Sequence, residues 1–227
     1  MPHVASLPII EAEEYKLMVD TGCLVGHPLV YAVGYPNPPQ NINVLDQVVT
    51  MNENPWGNAW RYNDHQPMFD NECVGEGQEF DFILTGGWYL NKTISFTGGT
   101  VKVEPNNTVC SPNIFVRERY PIITVGRENF LFDSGIPFST KFANLPAEGD
   151  LDDYQLCFSP LAGGVLKIKT QQDDEGLLWL TGWKKSNPQR RGDLQGLAGM
   201  MRQAVGNDIV GCIGSDYLLQ HDLTIAY

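Results

Sequence analysis

Apolar and polar residues alternate along much of the chain, which is the pattern of half-buried β-strands. Residues 165–170 alternate in this way, residues 171–176 are polar, and residues 177–180 are apolar again. Two strand patterns separated by a polar segment that ends in glycine are typical of a hairpin. The sequence therefore predicts a hairpin over residues 165–180 in a mainly β protein.

One segment has the period of a helix instead. Asp193 is a good N-cap, and the glycine of Gly206-Asn207 ends the pattern. The apolar residues between them fall on one side of the predicted helix: Leu194, Leu197, Met200, Met201 and Ala204. We expect the methionines of this helix to pack in the core, the alternative being a ligand surface.

The chain repeats itself at a fixed offset. Pro8-Ile9-Ile10 comes before Asp20-Thr21-Gly22, and 113 positions later Pro121-Ile122-Ile123 comes before Asp133-Ser134-Gly135. An apolar, strand-like run leads directly into each aspartate. An internal repeat of this kind indicates a duplicated structural unit.

A second correspondence lies further along. Gly86-Gly87-Trp88-Tyr89-Leu90 is similar to Gly214-Ser215-Asp216-Tyr217-Leu218, and each segment leads into a strand pattern. The spacing from acid to glycine is 66 residues in the first copy and 81 in the second, which indicates loop insertions in the second. The repeat divides the chain into a first lobe, residues 1–112, and a second lobe, residues 113–227.

Composition excludes several functional classes. The 27 acidic and 15 basic residues give a net charge of −12, which disfavours nucleic acid as a partner. No apolar run approaches the roughly 20 residues of a membrane span, and the first ten residues lack a signal-peptide pattern. We therefore expect a soluble chain that does not bind membranes. The sequence does not predict its cellular compartment.

The cysteines and histidines suggest no metal or redox site. The five cysteines form no CxxC pair, and His3, His27, His65 and His221 have no ligand spacing, so no metal or other cofactor is expected. Two glycosylation sequons, at Asn91 and Asn106, would matter only in a secretory pathway. A basic cluster at Lys184, Lys185, Arg190 and Arg191 is expected to be a solvated loop, the alternatives being docking of an acidic partner or a processing site.

The paired triplets resemble the active-site turns of pepsin-like and retropepsin-like aspartic proteases. The segment from Ile213 to Ile225 is also similar to the glycine-centred turn and last strand of retropepsin-like domains. The resemblance implies a two-lobed, barrel-like acid-protease fold built by internal duplication. It also implies a monomer that cleaves peptide or protein substrates, with Asp20 and Asp133 as the catalytic pair.

Two carboxyl groups about 3 Å apart cannot both ionise, so they share one proton and titrate as a pair. One acts as base toward water while the other hydrogen-bonds the scissile carbonyl. Gly22 and Gly135 allow a sharp turn under each acid, and the resemblance implies that Thr21 and Ser134 donate hydroxyls to the opposite loop. Because Cys23 and Ile136 follow the glycines and lack hydroxyls, the expected pH optimum is roughly pH 4 to 6.

An aspartic protease also needs a flap that covers the substrate. Residues 51–64 lie where the flap of the first lobe would fall, with Trp56, Trp60 and Tyr62 as candidate substrate-binding residues. Packing of these aromatics within a loop is the alternative. Residues 180–183 occupy the comparable interval of the second lobe.

Two rival functions stay open at this stage. A duplicated β protein could keep the protease fold as a binding or structural module, and Ile136 beside the dyad favours that reading. A nucleophilic Cys23 paired with His27 is a weaker rival, because Gly22 and Gly26 disfavour the helix that would bring the two side chains together. The separation of the Asp20 and Asp133 carboxyl groups distinguishes an enzyme from a scaffold.

Overall fold

The structure is a computed structural model that describes residues 7–57, 62, 80–105, 109–159, 164–185 and 193–227. It is mainly β, with a nearly closed, barrel-like sheet. Among the described residues no helix has the length and apolar character needed to cross a membrane.

The first half of the chain builds a six-stranded sheet in the order β1-β2-β6-β3-β5-β4. A single helical turn, α1, follows β6 and leads into the hairpin β7–β8. The elements are β1 (Ile9–Ala12), β2 (Tyr15–Val19), β3 (Leu29–Tyr31), β4 (Asn41–Val44), β5 (Gln47–Glu53), β6 (Phe82–Leu84), α1 (Gly86–Tyr89), β7 (Lys92–Thr97) and β8 (Thr100–Pro105).

The second half builds a five-stranded sheet, β12-β16-β11-β10-β9, and a three-stranded sheet, β13-β14-β15. Two 3-10 helices cover Phe142–Asn144 and Ser215–Leu219. The other elements are β9 (Ile114–Arg117), β10 (Tyr120–Val125), β11 (Glu128–Phe132), β12 (Thr140–Lys141), β13 (Gln155–Ser159), β14 (Gly164–Gln172), β15 (Leu178–Lys185), α2 (Leu194–Val205), β16 (Ile209–Ile213) and β17 (Leu223–Ala226).

Corresponding hairpins in the two halves have the same register. Ile9 pairs with Met18 in β1–β2, and Ile122 pairs with Leu131 in β10–β11. Both partners are displaced by the 113 positions that separate the two aspartates. The sequence repeat is therefore also a repeat of strand pairing.

In each half a parallel strand pairs with the second strand of the hairpin. Val19 of β2 lies opposite Leu84 of β6, and Phe132 of β11 lies opposite Ile213 of β16. A short antiparallel strand, β3 or β12, flanks the parallel strand on its other side. Each aspartate thus follows a central strand that is hydrogen-bonded on both edges.

The strand register corrects the sequence alignment of the downstream turns by one residue. The sequence comparison paired Gly86 with Gly214, but the residue that follows β6 is Thr85, so Thr85 is the structural equivalent of Gly214. The alignment was wrong because Tyr89 and Tyr217 match as letters, although they occupy different positions after their strands. The spacing from acid to turn is consequently 65 residues in the first half and 81 in the second.

The predicted hairpin and helix are confirmed. Strands β14 and β15 pair antiparallel around a turn at residues 173–177. In α2 the Asp193 side chain accepts a hydrogen bond from the Gly196 N–H, and Gly206 forms the C-cap. Both predictions rested on local signals, namely strand alternation and helix capping.

The two halves share one core and one sheet. The largest apolar cluster contains Leu17 and Leu84 from the first half and Phe132 and Ile213 from the second. The last strand, β17, pairs with β7, and Ser95 Oγ lies 3.2 Å from Thr224 Oγ1 across that pairing. This connection fixes the position of the second half against the first.

Candidate active site

The two Asp-Thr/Ser-Gly turns are joined by crossed hydrogen bonds. The Thr21 N–H donates to Ser134 Oγ at 3.0 Å, and the Ser134 N–H donates to Thr21 Oγ1 at 2.9 Å. Each hydroxyl then donates across to the opposite strand, Thr21 to the Phe132 carbonyl and Ser134 to the Val19 carbonyl. All of these groups are buried, so the geometry of the two turns is strongly constrained.

Each aspartate is placed by the strand beside it. The Asp20 N–H donates to the Leu84 carbonyl at 3.0 Å, and the Asp133 N–H donates to the Ile213 carbonyl at 2.9 Å. These bonds continue the parallel pairing by one residue beyond each central strand. The two acids therefore emerge at equivalent points of the two halves.

Each glycine lies directly against the opposite carboxyl group. A Cβ on Gly22 would be 2.5 Å from Oδ1 of Asp133, and a Cβ on Gly135 would be 2.6 Å from Oδ1 of Asp20. No side chain fits in either position. Glycine is thus required here by the close approach of the two turns.

The two carboxyl groups line one cavity, and each lies against the glycine of the opposite turn. Desolvation raises the pKa of Asp20 well above its ordinary value, and the charge of Asp133 and the hydrogen bond to it raise it further. Desolvation also raises the pKa of Asp133, against the opposing effect of hydrogen bonds from Asp20 and from backbone N–H groups. Two such groups hold one proton between them over a range of pH above the ordinary carboxyl pKa.

Backbone N–H groups are directed at both acids. Asp20 Oδ1 accepts from the N–H groups of Gly22 and Cys23, each at 3.0 Å. Asp133 Oδ1 accepts from the Gly135 N–H at 2.9 Å. These donors stabilise the ionised form of the pair without any side-chain hydroxyl.

The residues after the two glycines hold the turns against the downstream segments. The Gly86 N–H donates to the Cys23 carbonyl at 2.7 Å, and the Ser215 N–H donates to the Ile136 carbonyl at 2.7 Å. Ile136 lines the cavity beside the dyad. Desolvation raises the pKa of the Cys23 thiol well above its ordinary value, and the charge of Asp20 adds to this, which makes Cys23 a poor nucleophile.

A cavity of about 270 Å³ lies over the dyad. Trp56, one of the three candidate flap residues, lines it. Tyr62 is not among the lining residues; its ring packs against Tyr35 with centroids 4.9 Å apart, so the alternative of packing within a loop applies to it. Trp60 lies outside the described residues.

Residues 180–183 occupy the interval of the second lobe that corresponds to the flap, and the sequence left open whether a second flap is present. These residues lie inside β15, where Leu180 and Trp183 are buried and pack in one apolar cluster. The Trp183 indole N–H donates to the Pro146 carbonyl at 2.8 Å. A strand interior anchored in this way does not provide a hairpin tip.

Helix α2 supplies cavity residues that the sequence analysis assigned to the core. Leu197, Met200, Met201 and Ala204 all line the cavity, and Met200 is 57% exposed. The helical period showed that they share a side of the helix but not what that side faces. Tyr120, which the 113-residue offset matches to Leu7, also lines the cavity and was missed.

A third acid is buried near the second turn. Asp216 is 1% exposed and accepts hydrogen bonds from Ser139 Oγ, at 2.9 and 3.0 Å, and from the Leu178 N–H at 2.8 Å. Desolvation raises its pKa to about 7 against these hydrogen bonds. Asp216 joins the turn after β16 to the start of β15.

The basic cluster predicted from the sequence lies only partly within the described residues. Lys184 and Lys185 of the basic cluster form ion pairs with Asp150 and Glu148, whereas Arg190 and Arg191 lie outside the described residues. Cys23, Cys110 and Cys212 are free thiols. In the described part of the chain no three His, Cys, Asp or Glu side chains are grouped as a metal site.

Comparisons with protein-family models, with curated proteins and with solved structures found no match to this chain.

Proposed function

We propose that the protein is an aspartic endopeptidase of the two-lobed type, in which Asp20 and Asp133 activate a water molecule for peptide hydrolysis. The observation that carries this proposal is the close approach of two carboxyl groups at equivalent points of two crossed turns, each against the glycine of the other turn, with Asp133 buried and Asp20 partly buried. A strand that ends in an ordinary turn needs no second acid packed against its glycine. Holding two acids so close together costs free energy. Acids with strongly shifted pKa values are typical of functional sites.

The repeated strand register supports an origin by duplication. Both hairpins, both parallel neighbours and both hydrogen bonds from an aspartate N–H to the parallel strand recur in the two halves. A single chain then contributes both aspartates, so the catalytic unit is a monomer. The lobes meet at the crossed hydrogen bonds of Thr21 and Ser134.

In the proposed reaction the dyad carries one proton. The ionised carboxylate takes a proton from water, and the resulting hydroxide equivalent adds to the scissile carbonyl carbon. The protonated carboxyl stabilises the carbonyl oxygen as the tetrahedral intermediate forms. The C–N bond then breaks as the amide nitrogen receives the proton that the carboxylate took from water, which gives a carboxylic acid and an amine and leaves one proton on the dyad.

A binding or structural module on the same fold is the second candidate function. The observation that favours it is Ile136, whose bulky side chain lines the cavity beside the dyad. A scaffold has no need, however, for two carboxyl groups with raised pKa values to line one cavity side by side. The endopeptidase is therefore the better-supported function.

The test is cleavage of a mixed peptide library by the purified chain from pH 3 to pH 8. We expect a bell-shaped profile whose acidic limb lies above the ordinary carboxyl pKa of 3.8, because the pKa values of both acids are raised. A peptide isostere with a secondary hydroxyl in place of the hydrated carbonyl should inhibit the reaction. Absence of cleavage at every pH would favour the scaffold, and activity that rises steadily to alkaline pH would contradict the dyad.

A further inference from the structure

The backbone of each aspartate is held by the carbonyl at the end of a parallel strand, but the two carbonyls have different partners. The Leu84 carbonyl accepts from the Asp20 N–H at 3.0 Å. The Ile213 carbonyl accepts from the Asp133 N–H at 2.9 Å. The Leu84 carbonyl also accepts from the hydroxyl of Tyr89, the last residue of α1. The Tyr89 side chain is thus joined to the backbone of Asp20 through one carbonyl group.

The second half has no tyrosine at the corresponding position. Tyr89 and Leu218 each lie five positions after the last residue of the parallel strand, β6 or β16. Leucine has no hydrogen-bond donor in its side chain. The Ile213 carbonyl has the Cys212 thiol nearby instead, at 3.9 Å, and a thiol is a weak donor. The two aspartates are therefore supported unequally from behind.

The Tyr89 ring is fixed by contacts from both halves of the chain. It is 0% exposed and belongs to the largest apolar cluster. Its centroid lies 5.3 Å from that of the Tyr227 ring, which follows β17. The Tyr227 N–H donates to the Lys92 carbonyl at 3.0 Å, so this neighbour is itself bonded to β7. Packing on all sides therefore holds the Tyr89 hydroxyl in one place.

The single turn that carries Tyr89 is also fixed at its start. The Thr85 hydroxyl accepts from the Gly87 N–H at 3.3 Å and donates to the His27 carbonyl. This side chain caps α1 and joins it to the segment that follows the Asp20 turn. Groups that support a reactive residue from behind keep it in its productive geometry.

Tyr89 keeps its proton over the pH range in which an aspartate pair works. Desolvation raises the pKa of Tyr89 well above its ordinary value, and the charges of Tyr227 and Asp20 raise it further. The hydroxyl therefore donates to the Leu84 carbonyl throughout that range. A change in the pH profile on removal of the hydroxyl would thus report on the dyad and not on titration of Tyr89.

We propose that the Tyr89 hydroxyl is a positioning group for Asp20, which orients the Leu84 carbonyl and through it sets the separation of the two carboxyl groups. This inference rests on the endopeptidase function proposed above and adds a residue on which the reaction depends. Tyr89 does not line the cavity over the dyad. It acts through the backbone of Asp20 and not by contact with a substrate.

Tyr89→Phe removes the hydroxyl and keeps the ring, so it tests the proposal with little change in packing. We expect kcat for a cleaved peptide to fall about tenfold while KM changes by less than about twofold, because the cavity is kept and the dyad geometry is not. The interval between the acidic and basic limbs of the pH profile should narrow, since carboxyl groups held less closely are less strongly coupled.

Tyr217→Phe is the matched control. Tyr217 is the tyrosine of the second half that matches Tyr89 in the sequence alone; it is partly exposed and lies outside the cavity lining. Loss of its hydroxyl should change neither kcat nor the pH interval. NMR titration of the aspartate carboxyl carbons measures the two pKa values of the dyad in the same three proteins. Their difference should be smaller in Tyr89→Phe than in the parent and unchanged in Tyr217→Phe.

The NMR titration does not need peptide cleavage. If the parent cleaves no peptide, the endopeptidase proposal fails by itself, and the pKa difference still decides the role of Tyr89. A folded Tyr89→Phe variant with the kcat of the parent, or with the same pKa difference, would overturn the positioning role. A Tyr89→Phe chain that does not fold by circular dichroism would overturn it as well, because the hydroxyl would then serve the fold as a whole.

Discussion

Thr21 and Ser134 exchange hydrogen bonds across the boundary between the two halves, each accepting from the other's backbone N–H and donating to the opposite strand. Four buried polar groups are satisfied by two hydroxyls in this arrangement. Removal of either hydroxyl leaves a buried N–H and a buried carbonyl without their partner. The arrangement thus links the stability of the protein to the geometry of the dyad.

Thr21→Val and Ser134→Ala should therefore each lower the free energy of unfolding by about 1–3 kcal/mol. Peptidase activity should fall as well, since the two turns lose the contact that positions them. Urea unfolding and kcat measurements on the same samples test this prediction. Thr21→Ser keeps the hydroxyl and is the control; a Thr21→Val variant as stable and active as the parent would show that the crossed bonds are dispensable.

The two glycines under the carboxyl groups give a second prediction. Gly22→Ala and Gly135→Ala each introduce a Cβ that collides with the opposite carboxyl group, so the dyad must move. A displacement of about 1 Å can cost on the order of 100-fold in rate, and we expect a loss of kcat of that size.

Gly199→Ala is the matched control, because a Cβ at Gly199 meets nothing within 4 Å and lies inside a helix. It should raise the free energy of unfolding by about 0.5–1 kcal/mol without changing activity. A kcat equal to that of the parent in Gly22→Ala or Gly135→Ala would contradict the close approach of the two turns.

Asp216 should make the protein less stable as pH rises. Its pKa of about 7 in the folded chain lies above the roughly 3.9 of an unfolded aspartate, so folding favours its protonated form. The contribution of Asp216 to stability is complete below about pH 4 and is lost as pH rises through 7. The raised pKa values of Asp20 and Asp133 act in the same direction.

Asp216→Asn should reduce this pH dependence, because an amide can accept from the Leu178 N–H and donate to Ser139 without ionising. The measurement is the free energy of urea unfolding at pH 5 and pH 8 for the parent and the variant. The loss between the two pH values should be smaller in the variant. An equal loss in both proteins would mean that Asp216 does not titrate in this range.

Because one chain contributes both aspartates, activity per mole should not depend on protein concentration. Dilution from the micromolar to the low nanomolar range should leave kcat/KM unchanged, with size-exclusion chromatography as the check on oligomeric state. A fall in specific activity that follows dissociation of a dimer would contradict a monomeric catalytic unit.

The sequence predicted most where its signals are local or repeated. The two triplets, their spacing and the strand run before each acid predicted that Asp20 and Asp133 occupy equivalent positions, because repeated units keep the order of their strands. The N-cap of Asp193 and the alternation over residues 165–170 likewise depend on neighbouring residues alone. These predictions needed no knowledge of which elements pack together.

The errors have a tertiary cause. Helical periodicity grouped Met200 with the core residues of α2, but only the packed structure shows that this side faces the cavity. Gly86 was misaligned by one residue because the sequence comparison matched identical residue types and had no information on the strand register. For Tyr62 the sequence left open a flap or packing within a loop, because it does not show that the ring packs against Tyr35.

The central claim is that Asp20 and Asp133 act as one unit, and the most direct test is peptide cleavage by Asp20→Asn, Asp133→Asn and the double variant. Each single change should remove nearly all activity, and the double change should cost little more, because residues that share one proton are strongly non-additive. Each variant should stay folded, since it removes repulsion between two confined carboxyl groups. Full activity in either folded single variant would contradict the dyad.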